Sequence, residues 1–231
     1  MVSVAGFWTR VMRKKIQRLL DEIESEYRFT RGMTGKASLD PRVKAALSDT
    51  PRDKFVPQGS IDSAFDNNPL PIGYGQTISQ PYIVALMTDL LAPEADDVVL
   101  EIGTGSGYQA AVLSQLCSQV YTIEYVEALA DMAKARFEKL GYDNIETRAG
   151  NGFDGWPEHA PYDGIIVTAA ATQIPGPLIE QLKAGGRMVI PIGRPYSHQE
   201  LKLVEKNRDG DISIKDILGV AFVPFQGERN G

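Results

Sequence analysis

The chain has 231 residues, of which 43% are hydrophobic and 23% charged, and its formal net charge is −6. This length is enough for one α/β domain with a substantial core. The negative charge argues against a protein built chiefly to hold a nucleic-acid backbone. One cysteine, Cys117, allows no internal disulfide and is expected to be buried among apolar residues. With two histidines besides, no metal site is expected.

The N-terminal segment predicts helices. Residues 1–8 are apolar and their basic residues follow them, which is the reverse of a secretory signal, so we expect a cytoplasmic protein. No apolar run reaches the roughly 18 residues that a membrane-spanning helix needs. Apolar residues recur at helical spacing from Val11 to Ile23, and the Gly- and Thr-rich residues 30–36 predict a loop. Basic residues on this helix allow an RNA or membrane contact, but the acidic residues that follow favour a solvated face.

A second helix is predicted after Ser38 or Asp40, either of which can cap it, with Pro41 near its first position. Residues 49–81 are rich in proline and glycine, which predicts little regular structure. Their aromatic and aliphatic residues indicate an ordered and therefore functional segment. Pro81 then begins a third helical pattern, so Thr77 and Ser79 lie beside a helix N-terminus whose free amides favour an anion.

Residues 98–124 predict one strand, helix, strand unit. The apolar run from Val98 to Ile102 is typical of a strand buried on both faces of a parallel sheet. Gly103, Gly105 and Gly107 follow directly, and a helix and a second strand, ending at Glu124, come after them. Such a glycine turn allows the backbone to approach a ligand closely.

The spacing of the glycines indicates which ligand the turn binds. A dinucleotide fingerprint requires a third glycine where this chain has Tyr108, and Glu101 would place a carboxylate close to any phosphate. Glu124 lies 21 residues after Gly103, near the position from which an acid accepts ribose hydroxyls. A ribose with a cationic centre and no phosphate describes S-adenosylmethionine. The pattern E-x-G-x-G-x-G resembles motif I of the class I methyltransferases.

The segments after Glu124 continue the alternation of strands and helices. A helix ending at Gly141 and strands at residues 145–148, 165–167 and 188–190 are predicted, followed by an antiparallel hairpin with Gly210 in its turn. The fold class is therefore α/β and Rossmann-like, with a mostly parallel sheet, helices on both faces and a C-terminal antiparallel hairpin. We expect a single domain over residues 1–231, in which a helical and loop cap (1–92) precedes the cofactor-binding core (93–231).

A narrower resemblance rests on six stretches. They are residues 49–55 (DTPRDKF), 67–81 (NNPLPIGYGQTISQP), 99–108 (VLEIGTGSGY), 155–171 (GWPEHAPYDGIIVTAAA), 182–193 (LKAGGRMVIPIG) and 222–225 (FVPF). In this order they resemble the protein-L-isoaspartate O-methyltransferase family, from about Asp40 to Phe225. The resemblance implies methyl transfer from S-adenosylmethionine to the free α-carboxylate of isoaspartyl residues in damaged peptides and proteins, with S-adenosylhomocysteine as product and no metal, nucleic acid or membrane partner.

The resemblance also implies site residues. Ser79 is expected to be catalytic by gripping the substrate carboxylate. The expected cofactor contacts are Gln76, Thr77, Ile78, Glu101, Gly103, Gly105, Ser106, Glu124, Asn151 and Gly152. The expected substrate contacts are Thr77, Ile78, Ser79, Tyr82, Pro224 and Phe225. At position 151 the family normally carries an aspartate beside the adenine, and this chain has an asparagine, which changes the charge and adds a donor.

Three other functions compete with this interpretation. A nucleic-acid methyltransferase would carry an N-P-P-[YF] signature after Val167 or a Pro-Cys nucleophile, and this chain has neither. A nicotinamide dehydrogenase would have glycine in place of Tyr108. An inactive cofactor-binding adaptor would not need the intact TISQP segment at residues 77–81.

Overall fold

The computed structural model describes residues 4–194 and 197–227, with side chains from residue 11 onward. The side chains of residues 1–8, on which the cytoplasmic expectation depends, lie outside the described residues. In the described chain, the α-helices are α1 (Val4–Thr34), α2 (Pro41–Asp49), α3 (Pro81–Leu91), α4 (Tyr108–Ser114), α5 (Glu127–Leu140) and α6 (Gly176–Gln181). The strands are β1 (Leu70–Gly73), β2 (Gln76–Ile78), β3 (Val98–Ile102), β4 (Gln119–Glu124), β5 (Ile145–Ala149), β6 (Tyr162–Val167), β7 (Leu182–Gly193), β8 (Gln199–Lys206) and β9 (Ile212–Val220).

The main sheet has the order β5-β4-β3-β6-β7-β8-β9. The strands from β5 to β7 run parallel, whereas β8 and β9 return antiparallel. This arrangement confirms the predicted fold class. The apolar run of β3 lies between β4 and β6, and Val99 on one face of the sheet and Leu100 and Ile102 on the other are all buried.

Alternate residues of β3 point into two hydrophobic clusters. Val99 belongs to a cluster that also contains residues of helices α1 to α5, whereas Leu100 and Ile102 belong to a second cluster with Leu178 of α6. This alternation follows from the two-residue period of a strand. The carboxyl ends of the parallel strands are left open between the two layers, where ligands of such sheets bind.

Local signals set several boundaries as predicted. Asp40 caps α2 by accepting a hydrogen bond from the amide of Arg42, and Pro41 and Pro81 begin their helices. Gly141 ends α5 with φ +77°, and Gly210 lies between β8 and β9 with φ +92°. These positions confirm that caps and left-handed glycines were correctly identified.

Two predictions about the N-terminal half were wrong. Residues 30–34, predicted as loop, belong to α1, because the Thr30 hydroxyl bonds both the carbonyl of Glu26 and the hydroxyl of Tyr82. The helix ends only where Gly35 takes φ +71°. Residues 70–78, predicted to be irregular, form the antiparallel pair β1–β2. Tertiary contacts outweigh local propensity in α1.

Cys117 is buried as predicted, and burial raises the pKa of its thiol to about 12. No helix in the described ranges is long and apolar enough to cross a membrane.

Candidate active site

A cavity lies at the carboxyl edge of β3, β4 and β6, beside the β1–β2 pair. Its walls bring together most of the predicted site residues, from segments far apart in the chain. Those that line it are Gln76, Thr77, Ile78, Ser79, Gly103, Gly105, Ser106, Glu124, Gly152, Pro224 and Phe225. Among the described residues, no cluster of histidine, cysteine or carboxylate side chains could hold a metal ion.

The glycine turn after β3 requires glycine for two reasons. Gly103 has φ +96°, a conformation that residues with side chains rarely adopt. A Cβ atom at Gly103 would also lie 2.3 Å from Oγ1 of Thr168, and this hydroxyl donates a 2.6 Å hydrogen bond to the Gly103 carbonyl. The turn is thereby held against the end of β6, and its backbone faces the cavity.

Glu124 is fixed at the end of β4 by backbone donors. Its Oε2 accepts a 2.7 Å hydrogen bond from the amide of Gly105, and its Oε1 accepts a 2.9 Å bond from the amide of Val126. A carboxylate offers about four acceptor sites, so each oxygen keeps capacity for a further donor. This pair of oxygens can therefore accept from two adjacent hydroxyls of a ligand.

Glu101 does not line the cavity, contrary to the sequence prediction. It lies opposite Thr122 in the β3–β4 register and is fully buried, with the Thr122 hydroxyl donating to its Oε2. The hydroxyls of Thr122 and Thr104 are 2.7 Å apart and continue the chain of hydrogen bonds towards the glycine turn. The alternation of β3 turns this side chain into the helical layer, which the motif alone does not reveal.

Asn151 does not line the cavity either. Its side-chain oxygen accepts a 3.0 Å hydrogen bond from the amide of Phe153, and its side-chain nitrogen donates a 2.9 Å bond to the carbonyl of Gly227. An aspartate could not make the second bond, because an ionised carboxylate has no donor. Asn151 therefore ties the C-terminal segment to the turn after β5.

The C-terminal segment, residues 222–227, is tied at two further places. Gln199 is buried and bonds both the amide and the carbonyl of Phe222. Ala170 donates to the carbonyl of Val223 and accepts from the amide of Phe225, each at 2.9 Å. These bonds bring Pro224 and Phe225 into the cavity wall.

Ser79 lies between β2 and α3 and lines two cavities, the one described above and a neighbouring groove. Its carbonyl accepts a 3.1 Å hydrogen bond from Arg52. The expectation that the amides of the α3 N-terminus are free was wrong in one respect, because the amide of Tyr82 donates to Oδ1 of Asn67. Tyr82 itself lines the groove, and its hydroxyl contacts that of Thr30.

The sequence prediction missed several lining residues. Thr168 and Tyr125 each follow the last residue of a parallel strand, β6 and β4 respectively. The rule that ligands bind outside the carboxyl ends of such strands would have found them. Gln109, in contrast, lies inside α4 and reaches the cavity while donating to the hydroxyl of Thr88. No local signal distinguishes it from a packing residue.

The geometry defines the class of protein. An acid at the end of the strand next to β3 faces a glycine turn that lacks the dinucleotide spacing, and the last strands of the sheet return antiparallel. This is the arrangement of class I S-adenosylmethionine-dependent methyltransferases. This chain is one of them, and it uses S-adenosyl-L-methionine and releases S-adenosyl-L-homocysteine.

Sequence comparison gives the particular family. The model of the family described as protein-L-isoaspartate(D-aspartate) O-methyltransferase matches residues 31–230, and the chain therefore belongs to that family. A protein-L-isoaspartate O-methyltransferase 2 from Polaromonas sp. is 59% identical over 91% of this chain and 100% of its own length. Another from Syntrophobacter fumaroxidans is 55% identical over 91% of this chain and 85% of its own.

A solved structure supports the same assignment. A protein-L-isoaspartate O-methyltransferase that is 27% identical superposes with a TM-score of 0.79, over 92% of this chain and 66% of that longer chain. The fold is also shared with a 21% identical Plasmodium falciparum protein solved with S-adenosyl-L-homocysteine, at a TM-score of 0.73 over 94% and 99% of the two chains.

Proposed function

We propose that this chain transfers the methyl group of S-adenosylmethionine to the free α-carboxylate of L-isoaspartyl residues in damaged peptides and proteins, which begins their repair. The observation that carries this proposal is the place of Ser79. Ser79 lines both the cavity that contains Glu124 and the glycine turn and the groove that opens beside this cavity. A carboxylate entering through the groove would meet the cofactor cavity at Ser79.

The residues where the groove meets the cofactor cavity need only position the substrate for methyl transfer. An α-carboxylate has a pKa of about 3.3 to 3.7 and is ionised at neutral pH, so no general base is needed. Bound S-adenosylmethionine supplies an electrophilic methyl group on a positively charged sulfur. The protein then contributes by holding one carboxylate oxygen in line with that group, an effect worth about 7 kcal/mol or more when the geometry is good.

Different residues bind the substrate carboxylate and the cofactor. The Ser79 hydroxyl donates to the carboxylate, and Thr77 and Ile78 form the adjoining wall. On the cofactor side, Glu124 accepts the ribose hydroxyls, while Gly103 and Gly105 present backbone to the ligand.

The proposal is tested by comparing an isoaspartyl peptide with its aspartyl twin. Only the isoaspartyl peptide is expected to be methylated, measured as S-adenosylhomocysteine released and as the mass of the methyl ester. Methylation of RNA or DNA instead would favour a nucleic-acid methyltransferase, and cofactor binding without any transfer would favour an adaptor.

Ser79→Ala is expected to lower kcat/KM by about tenfold or more, because a hydrogen bond to a charged group is worth roughly 1.5–3 kcal/mol. The affinity for S-adenosylhomocysteine, measured by calorimetry, should stay nearly unchanged. Ser63→Ala is the matched control, since Ser63 is also half-buried but lines neither cavity. Equal turnover in the two variants would remove Ser79 from the proposal.

We also propose that the cap (1–92) and the core (93–231) form one domain. The first hydrophobic cluster supports this, because it joins Leu19 and Tyr27 of α1 to Val189 and Ile217 of the sheet. A cytoplasmic location stays a prediction.

A further inference from the structure

A groove of about 550 Å³ opens beside the cofactor cavity, between α1 and the end of β9. Its volume falls within the roughly 300–1,000 Å³ range of ligand sites. The groove and the cofactor cavity share four lining residues, Thr77, Ser79, Thr168 and Val223. A peptide whose isoaspartyl carboxylate reaches Ser79 would therefore have its neighbouring residues in this groove.

One side of the groove is a single face of α1. Glu26, Phe29, Thr30 and Met33 all line it, and their spacing of three and four residues places them in one row along the helix. The row is held in place by the Thr30 hydroxyl, which lies 2.6 Å from that of Tyr82, and by the ring of Tyr27 against the ring of Tyr82. The helix therefore presents a fixed surface to the groove.

Two large apolar side chains on this face remain in contact with solvent. Phe29 is 83% exposed and Met33 is 52% exposed. Contiguous exposed apolar surface with a polar rim is a feature of interaction sites and ligand-binding grooves. Phe29 also lies outside residues 31–230, the stretch that the family model matches.

The charge at the same end of the groove is negative. Glu26 is half-buried, and among the described residues its carboxylate has no ion-pair partner. Arg18 lines a neighbouring surface pocket together with Glu26, but its ion pairs are with Glu22 and Asp66. An acidic side chain placed here would meet a like charge, whereas a basic one would be attracted.

We propose that Phe29 and Met33 select the residues that flank the isoaspartyl residue of the substrate. An apolar flanking side chain packs on this pair, and Glu26 disfavours an acidic side chain close to them. This inference rests on the proposed function, because it assigns the groove to the peptide that function requires. Removal of apolar surface from water on Phe29 and Met33 supplies the preference.

The test uses isoaspartyl peptides with Leu, Ser, Lys or Glu at each of the two positions on either side of the isoaspartyl residue. A peptide flanked only by glycine serves as the substrate that does not reach Phe29. The enzymes compared are the wild type, Phe29→Ser, Met33→Ser and Glu26→Gln. Met132→Ser is the matched control, because Met132 is 48% exposed on α5 and lines neither cavity.

For the wild type, kcat/KM at one flanking position should be about fivefold or more higher with Leu than with Ser. Phe29→Ser and Met33→Ser should each reduce this ratio and should lower kcat/KM for the Leu peptide more than kcat/KM for the glycine-flanked peptide. Glu26→Gln should reduce the difference between Lys and Glu. Met132→Ser should retain every wild-type ratio. Thermal midpoints and S-adenosylhomocysteine affinity are measured for each variant to show that it is folded.

Two different failures can be told apart. A wild type that methylates isoaspartyl peptides but shows no Leu preference at any position, or keeps that preference in both Phe29→Ser and Met33→Ser, would overturn this inference alone. A wild type that methylates none of the isoaspartyl peptides would overturn the proposed function itself.

Discussion

Glu101 shows how a residue within a binding motif can serve a structural purpose. Burial, and to a smaller extent the charge of Glu124, raise its pKa from the ordinary 4.5 to about 8, although the hydrogen bond from Thr122 acts in the opposite direction. The carboxyl group is therefore mostly protonated at neutral pH. Its Oε1 has no hydrogen-bond partner, which is less costly for a neutral acid than for a carboxylate.

The raised pKa of Glu101 has a consequence for stability. Between pH 4.5 and about 8, the folded chain keeps a proton that the unfolded chain has released, so the contribution of Glu101 to the free energy of unfolding falls as the pH rises through this window. At about 1.4 kcal/mol per pKa unit, the loss reaches a few kcal/mol. Glu101→Gln, a neutral isostere, should gain stability relative to the wild type from pH 6 to pH 8.5, measured by urea unfolding.

The control for this experiment is Glu138→Gln, since Glu138 is an exposed glutamate on α5. Its stability should follow the wild-type pH dependence. Parallel pH profiles for Glu101→Gln and the wild type would contradict the buried, protonated state of Glu101.

At the level of elements, the segment that carries Ser79 is held by one buried arginine. Arg52 is 1% exposed and donates to the carbonyls of Ala64, at 2.6 Å, Asn68, at 3.0 Å, and Ser79, at 3.1 Å. These carbonyls belong to three separate places in residues 64–79, so the planar guanidinium joins the segment to the chain before it. Ser79 thus depends on a residue outside its own motif.

Arg52→Lys is expected to lower the free energy of unfolding by about 1.5–3 kcal/mol, because an ammonium group at one point cannot reach all three carbonyls. It should also raise KM for the isoaspartyl peptide more than it weakens binding of S-adenosylhomocysteine. Arg187→Lys is the control, since Arg187 forms an exposed pair with Glu205 that contributes about 0–1 kcal/mol. Equal effects in the two variants would show that Arg52 does not hold the Ser79 segment.

At the level of the whole molecule, the two hydrophobic clusters lie on opposite faces of one sheet. The first includes helices of the cap and strands of the core, and the second includes Trp156 and Phe225. Neither the cap nor the sheet can be exposed without opening the first cluster. We therefore expect cap and core to unfold together.

This expectation predicts one transition in urea. Far-UV circular dichroism, which reports the helices, and the fluorescence of Trp156 in a Trp8→Phe background should give the same midpoint. S-adenosylhomocysteine at about 100 times its Kd should raise the free energy of unfolding by about 2.7 kcal/mol in both signals. Two separate midpoints would divide the chain into independent units.

The sequence by itself determined the elements whose signals are local. The apolar run of β3, the positive-φ glycines, the cap at Asp40 and the prolines that begin α2 and α3 each act within a few residues. Together they predicted the fold class and the place of the glycine turn and Glu124 in the cavity. The family resemblance added Ser79, because its motif is specific.

Only the tertiary structure decided the rest. It extended α1 through the contact of Thr30 with Tyr82, paired Glu101 with Thr122 and Asn151 with Gly227, and placed Phe29 and Met33 in the same groove as Ser79. The physical reason is the same in each case. A side chain's direction and partner depend on residues 50 or more positions away, or across a sheet, and no pattern within a short window contains that information.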